Sequence, residues 1–319
     1  TFIFAFGGLT LIILMSAISA LLWHLKVIPL IVNVLSVLFK KPLGVGGPIG
    51  LGATANVFLG QVEAPLLIKP YLSSMTRHEL LIIMTVGMST IAGSVMVVYT
   101  TMLFSIYGSG LIGHFLSASL ISVPAAIMYA NMMIPSNEKT DFPDEKSDDM
   151  YSSIMDAITQ GTKNGLDIFL NVIAMLIVVM ALVFLVNSIL GLLPNLNGDP
   201  ITLELILGYL FAPLAWFMGI PWSESILAGQ LLGVKTALNE FVAYLYLSDV
   251  ETYQLGDKSK MIMLYALCGF ANFSSVGILL SGLSAMVPER RADLISVSGK
   301  ALWCALLASC LTGFIIGIL

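Results

Sequence analysis

Residues 60–66 read Gly-Gln-Val-Glu-Ala-Pro-Leu and place a carboxylate, Glu63, at a break between two hydrophobic segments. Residues 239–244, Asn-Glu-Phe-Val-Ala-Tyr, place Glu240 in the same way in the second half of the chain. Each glutamate is followed by an apolar segment that small polar residues interrupt, at 90–94 and at 272–275. An ionised carboxylate at the bilayer centre costs about 3 kcal/mol on insertion scales, so two in matched positions indicate a substrate or ion site. The chain is therefore a candidate transporter.

The composition is that of a polytopic membrane protein. Hydrophobic residues make up 58% of the chain and charged residues 10%, whereas a soluble domain has about 25% charged residues. The net charge of -5 argues against nucleic acid as a partner. Much of the acidic excess lies in one loop, 138–149, which we expect to be solvated. The three cysteines lie in apolar segments and are expected to be buried and inert.

Six segments are long and apolar enough to cross a hydrocarbon core of about 30 Å. They are Phe2 to Trp23, Leu80 to Tyr107, Leu111 to Ile134, Leu166 to Leu193, Met261 to Leu283 and Ala301 to Leu319. Two further apolar stretches, 28–39 and 201–219, are predicted to lie in the membrane interface. Stretches 49–75 and 223–248 have polar centres, and we expect them to be hairpins that enter the membrane and return.

The order of these elements repeats. Residues 1–134 contain a span, an interfacial helix, a hairpin, a broken span and a further span, and residues 166–319 contain the same five elements after a loop at 135–165. The predicted fold is therefore an all-α membrane protein built from two repeats. Each repeat crosses three times, an odd number, so the second must be inverted relative to the first. Inverted repeats with broken helices are typical of secondary transporters.

The placement of positive charge agrees with this topology. Eleven of the 14 lysines and arginines fall on one side if the loop after Trp23 is cytoplasmic, as the positive-inside rule requires. They are Lys26, Lys40, Lys41, Lys69, Arg77, Lys139, Lys146, Lys163, Arg290, Arg291 and Lys300; the outer three are Lys235, Lys258 and Lys260. The C-terminus is then predicted to be extracytoplasmic, and the protein to lie in the plasma (inner) membrane.

Four motifs resemble those of the concentrative nucleoside transporters. They are residues 60–66, Ala92-Gly93-Ser94, residues 239–244, and Gly269-Phe270-Ala271-Asn272-Phe273-Ser274-Ser275, and together they span essentially the whole chain. The resemblance implies a nucleoside symporter, which does no covalent chemistry, and a homotrimer. Members of the family have further spans before the point where this chain starts. Because Thr1 already lies inside an apolar run, we expect residues before it.

The resemblance implies a substrate site at the two hairpins and the two broken spans. Gln61 and Glu63 match the positions that contact the base, and their donors and acceptors suit the polar edge of a nucleobase. The family commonly has a threonine where this chain has Val62, so one hydroxyl that could contact the base is absent here. Glu240 matches the position that holds the ribose hydroxyls. The predicted substrate-binding residues are Gln61, Val62, Glu63, Val95, Glu240, Phe270, Asn272 and Ser275.

Sodium is the predicted coupling ion. A helix that breaks at 90–94 exposes carbonyl oxygens, and Asn56 and Thr90 add side-chain oxygens, a set suited to a small monovalent cation. In sodium-coupled members the positions matching Asn56, Leu59, Thr90 and Ile91 form the ion site, and proton-coupled relatives tend to lose that asparagine.

Each of these residues also has a structural interpretation. Glu63 and Asn56 could cap half-helices, Phe270 could pack in the core or against lipid, and Asn272 and Ser275 could form interhelical hydrogen bonds. Three other functions stay open on the residues alone. A proton could replace sodium, with Glu63 or Glu240 titrating. An intramembrane enzyme would need a nucleophile and base or a metal cluster, which the histidine and cysteine positions do not offer. A channel would conduct without saturation.

Overall fold

A computed structural model of the chain describes residues 10–43, 47–136, 150–194, 200–248 and 254–319. Within these ranges the chain forms helices and turns and no strand, which confirms the predicted all-α fold. The start of the first predicted span, residues 1–9, and the acidic loop at 138–149 lie outside the described residues.

The first half contains eight helices in its described residues. They are α1 (Leu11–His24), α2 (Val27–Leu43), α3 (Gly47–Ala55), α4 (Glu63–Leu66), α5 (Lys69–Leu72), α6 (Arg77–Ser89), α7 (Gly93–Tyr107) and α8 (Leu111–Met133). The stretch predicted as the first hairpin is thus α3, a turn at 56–62 and two short helices. We call it hairpin 1.

The second half contains seven helices in its described residues. Its described helices are α9 (Ile154–Leu190), α10 (Leu203–Phe217), α11 (Trp222–Ala237), α12 (Glu240–Ser248), α13 (Asp257–Ala266), α14 (Phe273–Met286) and α15 (Arg291–Ile318), with a 3₁₀ turn, Pro288–Arg290, before the last. Helices α11 and α12 form hairpin 2, joined by only two residues.

Polar side chains set several helix starts. At α6, the Thr76 hydroxyl accepts from the backbone N–H of Glu79, and the Glu79 carboxylate accepts in return from the N–H of Thr76, a complete capping box. The Ser153 hydroxyl caps α9 by accepting from the N–H of Asp156. Because of this cap, α9 begins at Ile154, well before the predicted start at Leu166.

Four helices among the described residues are long and apolar enough to cross a membrane: Arg77–Tyr107, Leu111–Met133, Ile154–Leu190 and Pro288–Ile318. Two pairs of consecutive helices are also long and apolar enough when each pair is counted as one segment, although each is bent at the break between its helices. They are Leu11–His24 with Val27–Leu35, bent by 75°, and Leu203–Phe217 with Trp222–Ala237, bent by 117°. The predicted span 261–283 is divided at 267–272 into α13 and α14, each too short to cross alone. The break between α6 and α7 lies at 90–92, where Thr90 and Ala92 are extended.

Two regions of packing position the site. Helix α6 is buried along nearly its whole length and packs against α8 and α15, and α15 also packs against α13. Helix α9 instead packs along α1, where Gly161 and Gly165 allow close approach. A Cβ on Gly161 would lie 2.7 Å from Ala20 Cβ and 2.8 Å from Ala17 Cα. Small residues at such a crossing are typical of helix pairs in membranes.

Candidate functional site

Hairpin 1 contacts the break between α6 and α7. The backbone N–H of Gly93, the first residue of α7, donates to the carbonyl of Phe58 at 3.1 Å. On α6, Gly87 lies against the same turn: a Cβ there would be 3.4 Å from Gln61 Cβ and 3.7 Å from Asn56 Oδ1. The structure therefore brings together the two predicted polar residues of the turn and the predicted ion-binding break.

Two side-chain oxygens of this turn, one on Asn56 and one on Gln61, lack a hydrogen-bond partner in the part of the chain that the structure describes. Asn56 is fully buried, and its Nδ2 donates to the Gly52 carbonyl at 2.9 Å. Its Oδ1 and the Oε1 of the buried Gln61 have no hydrogen-bond partner among the described residues. A buried acceptor without a partner is costly, so each of these oxygens is suited to accept from a ligand or to bind a cation.

The other predicted ion-site residues are also buried, Leu59 within this turn and Thr90 and Ile91 in the break that contacts it. Leu59, Thr90 and Ile91 are 5%, 1% and 0% exposed. The Thr90 hydroxyl donates to the Val86 carbonyl at 3.1 Å, which leaves its own lone pairs free to bind a cation. Carbonyl, amide and hydroxyl oxygens are the kind of ligand that a small monovalent cation prefers, and the assignment of sodium to these residues stays a prediction.

Glu63 and Val62 make contacts within hairpin 1 and across it. The Glu63 Oε2 accepts from the backbone N–H of Gly60 at 3.1 Å, a local contact within the turn that precedes α4. The side chain is half-buried and begins α4. Val62 packs against α14, because a Cβ on Gly282 would lie 2.6 Å from Val62 Cγ1.

Glu240 lies at the centre of a second polar cluster, with both oxygens bound. Its Oε1 accepts from the Tyr99 hydroxyl at 2.8 Å and its Oε2 from the Asn272 Nδ2 at 2.8 Å. Asn272 also caps α14, since its Oδ1 accepts from the backbone N–H of Ser275 at 2.7 Å. Glu240, Asn272 and Ser275 are thus neighbours and are all buried, while their role in substrate binding stays a prediction.

Tyr99 also belongs to this cluster, although no sequence motif indicated it. It lies one turn after the predicted residue Val95 on α7, so both share a face of that helix. Its ring packs 4.7 Å from that of Tyr244 and 6.1 Å from those of Phe115 and Phe241. The spacing of four residues from Val95 was the available signal.

The two clusters are adjacent because the two helix breaks touch. Gly269, in the break between α13 and α14, has φ +129°, and a Cβ there would lie 2.7 Å from the Ser89 carbonyl oxygen at the end of α6. Only glycine fits such a position. Phe270 follows it and is partly buried against the core. Along α7, Gly93 at one cluster and Tyr99 at the other are about 9 Å apart.

Tyr151 lies near this site from outside the spans. It precedes α9 and packs partly against the core. Burial raises the pKa of Tyr151 to about 12, and the charges of Glu63 and Asp156 add to the effect. Tyr151 is therefore protonated at neutral pH.

A helical membrane fold whose broken helices meet at buried carboxylate and amide groups defines a membrane transport protein. Two family models match the chain: "Na+ dependent nucleoside transporter C-terminus" over residues 114–317 and "Nucleoside recognition" over residues 5–106.

Several curated proteins are similar over 98–99% of the chain. The uncharacterized transporter YutK of Bacillus subtilis is 40% identical and 77% of its length is covered; the nucleoside permease NupC of Helicobacter pylori is 36% identical, with 76% covered. Human solute carrier family 28 member 3 is 35% identical, and the chain spans 48% of it. The chain belongs to the concentrative nucleoside transporter family.

Solved structures of CNTnw agree. In an inward-facing substrate-bound state it matches 99% of this chain with a TM-score of 0.91 and 36% identity, covering 75% of CNTnw. A variant of CNTnw in an outward-facing state matches with a TM-score of 0.90 and 35% identity over the same shares. These relatives confirm a transporter and not an enzyme.

Proposed function

We propose that this protein imports nucleosides across the plasma membrane by symport with sodium. The observation that carries the proposal is the meeting of two hairpins and two helix breaks at one buried place. There, Asn56 Oδ1 and Gln61 Oε1 lack partners in the described chain, and Glu240 is held ready by two donors. A solute with both donors and acceptors would satisfy such groups, and a nucleoside has both.

The ribose is proposed to bind at Glu240, Asn272 and Ser275. Ribose hydroxyls donate hydrogen bonds, and a carboxylate accepts them with about twice the strength of a neutral acceptor. Because Tyr99 and Asn272 already fix the carboxylate, it loses little conformational freedom on binding.

The base is proposed to lie between hairpin 1 and the second break. Gln61 offers its free acceptor and its amide donors to the polar edge of the base, with Glu63 beside it. Phe270 supplies a stacking surface, worth about 1–3 kcal/mol for a base in nucleic-acid sites. Val62 and Val95 complete the proposed contact set with apolar surface.

Sodium is proposed to bind at Asn56, the Leu59 carbonyl, Thr90 and the Ile91 carbonyl. The unpaired Oδ1 of Asn56, in a turn that contacts the break through the hydrogen bond from Gly93 to Phe58, supports this choice. One cation that moves down a potential of about 100 mV supplies about 2.3 kcal/mol for nucleoside uptake. A proton is the second candidate, because both glutamates are carboxylates within the membrane region.

The same proposal covers the architecture in the bilayer. The repeated order of elements supports inverted repeats with hairpins 1 and 2 as re-entrant elements, and the charge distribution supports an extracytoplasmic C-terminus. Transport then requires the site to open to each side in turn, and the similar match to inward- and outward-facing CNTnw structures supports this. A homotrimer is proposed from the family.

The test is uptake of labelled uridine and adenosine by purified protein in proteoliposomes, with external sodium replaced by choline at fixed pH. We expect sodium to drive concentrative uptake.

Asn56→Leu should raise the sodium concentration needed for half-maximal uptake by about tenfold or more, because it removes the unpaired ligand. The matched control is Thr54→Val, whose hydroxyl bonds only to the Gly50 carbonyl of its own helix. Uptake that follows a proton gradient and ignores sodium would select the second candidate, and absence of nucleoside uptake would refute the proposal.

A further inference from the structure

Lys235 is a fully buried cation that the proposed site does not use. It lies in the last turn of α11, is 0% exposed, and has no ion pair with a carboxylate in the described part of the chain. Its Nζ donates to the carbonyl of Ala266 at 2.8 Å. Burying an ammonium group without a carboxylate partner costs several kcal/mol of desolvation free energy, about the cost of one buried ion, so a functional role for Lys235 is indicated.

Ala266 is the last residue of α13, the first half of the second broken helix. Helix C-termini carry unpaired carbonyls and partial negative charge. Here each of the last four carbonyls accepts a hydrogen bond from the protein: Met263 O from Leu267 N, Leu264 O from the Tyr244 hydroxyl, Tyr265 O from Cys268 N, and Ala266 O from Lys235. The carbonyls at the end of α13 therefore already have hydrogen-bond donors from the protein itself.

The first break differs. It lies at the end of α6, the counterpart of α13 in the element order, and it faces the end of α3, the counterpart of α11. No lysine lies there among residues 47–94, all of which the structure describes, except Lys69, which is exposed. The hydroxyls of Ser89 and Thr90 both donate to the carbonyl of Val86, and Asn56 at the end of α3 presents its unpaired Oδ1. The first break therefore offers free oxygens where the second contains an ammonium.

We propose that Lys235 is a tethered cation that occupies, in the second half, the place that the coupling cation takes in the first. The inference rests on the proposed sodium symport. Only the first break then exchanges an ion with solution, and one sodium accompanies each nucleoside. Glu240, five residues further along the chain, lies within range of the Lys235 charge. Lys235 holds the end of α13, and Asn272, on the other side of the same break, donates to Glu240, so we assign Lys235 as a positioning residue for the ribose-binding carboxylate.

Three variants separate this role from packing. Lys235→Gln keeps a hydrogen-bond donor, loses the charge and adds an oxygen that a free sodium ion could use. Lys235→Met removes both charge and donor. The matched control is Thr236→Val, the next residue on α11, whose hydroxyl donates only to the Leu232 carbonyl of its own helix. Folding is checked by size-exclusion chromatography and thermal unfolding.

The measurement is uridine binding to purified protein by calorimetry over a series of sodium concentrations. In wild type and Thr236→Val we expect a Hill coefficient for sodium of about 1, and in Lys235→Gln one approaching about 2, because a second ion enters the vacated place. Lys235→Met should weaken uridine binding about 10- to 100-fold at every sodium concentration. Folded variants that bind uridine with the control's affinity and sodium dependence would overturn the inference.

A measurement on wild type keeps the test decisive if the lysine variants do not fold. Dual-isotope uptake in proteoliposomes should give about one sodium per uridine, and a ratio of about two would overturn the inference. Wild-type protein that binds no nucleoside refutes the proposed function itself. Sodium-dependent uridine binding by wild type, with Lys235→Gln indistinguishable from Thr236→Val, refutes only the tethered cation.

Discussion

The Glu240 carboxylate provides the sharpest test of the proposed substrate site. Glu240→Gln preserves the shape of the side chain and removes its charge. The amide oxygen can still accept from Asn272 Nδ2, and the Tyr99 hydroxyl can rotate to accept from the new amide, so we expect the variant to fold.

The effect on binding follows from the change in acceptor. A hydrogen bond to a charged group contributes about 1 kcal/mol more than a neutral one. Two ribose hydroxyls that donate to the carboxylate would together lose about 2 kcal/mol, which corresponds to about 30-fold weaker nucleoside affinity. An amide that turns its NH₂ toward a hydroxyl adds to the loss.

The chain contains a closely matched control. Glu204 on α10 also accepts from an asparagine amide and a tyrosine hydroxyl, Asn187 Nδ2 at 2.9 Å and Tyr246 at 3.4 Å. Glu204→Gln makes the same chemical change outside the proposed site and should leave uridine affinity within about twofold of wild type. Uridine binding is measured by calorimetry and uptake in proteoliposomes. Folded Glu240→Gln protein with the affinity of the control would refute the ribose role.

Two further predictions concern residues that hold the site and the fold. Tyr99→Phe removes a donor from the buried Glu240 carboxylate and should lower the free energy of unfolding by about 1–3 kcal/mol. The control Tyr107→Phe loses a hydrogen bond to a neutral backbone carbonyl and should lower the free energy of unfolding by only about 1 kcal/mol. Equal melting temperatures for the two variants would contradict this prediction. Gly161→Val should destabilise the protein by about 1–3 kcal/mol, because the new side chain overpacks against α1. The control Gly277→Val should not, because a Cβ at Gly277 meets nothing within 4 Å. Thermal unfolding in detergent measures both variants, and an unchanged melting temperature for Gly161→Val would argue against close packing of α9 on α1.

The sequence alone identified the membrane class and the order of elements. Crossing segments need long apolar runs, and these are visible in any window of the chain. Polar residues are rare in such apolar runs, so Glu240, Asn272 and Asn56 stand out in the sequence as candidate site residues. The charge of the loops gave an orientation, which stays a prediction.

The tertiary structure decided which of these residues meet. The bond from Tyr99 to Glu240 joins residues 141 positions apart, and no local pattern specifies it. The predicted span Leu166–Leu193 ends close to the end of helix α9, at Leu190. The helix starts earlier than predicted, at Ile154, because the Ser153 hydroxyl caps it. Likewise, the sequence shows Lys235 only as a charged residue inside the second predicted hairpin. Its hydrogen bond to the Ala266 carbonyl depends on how α11 packs against α13. Hydropathy and motif spacing act through local composition, whereas hydrogen-bond partners depend on how distant helices pack.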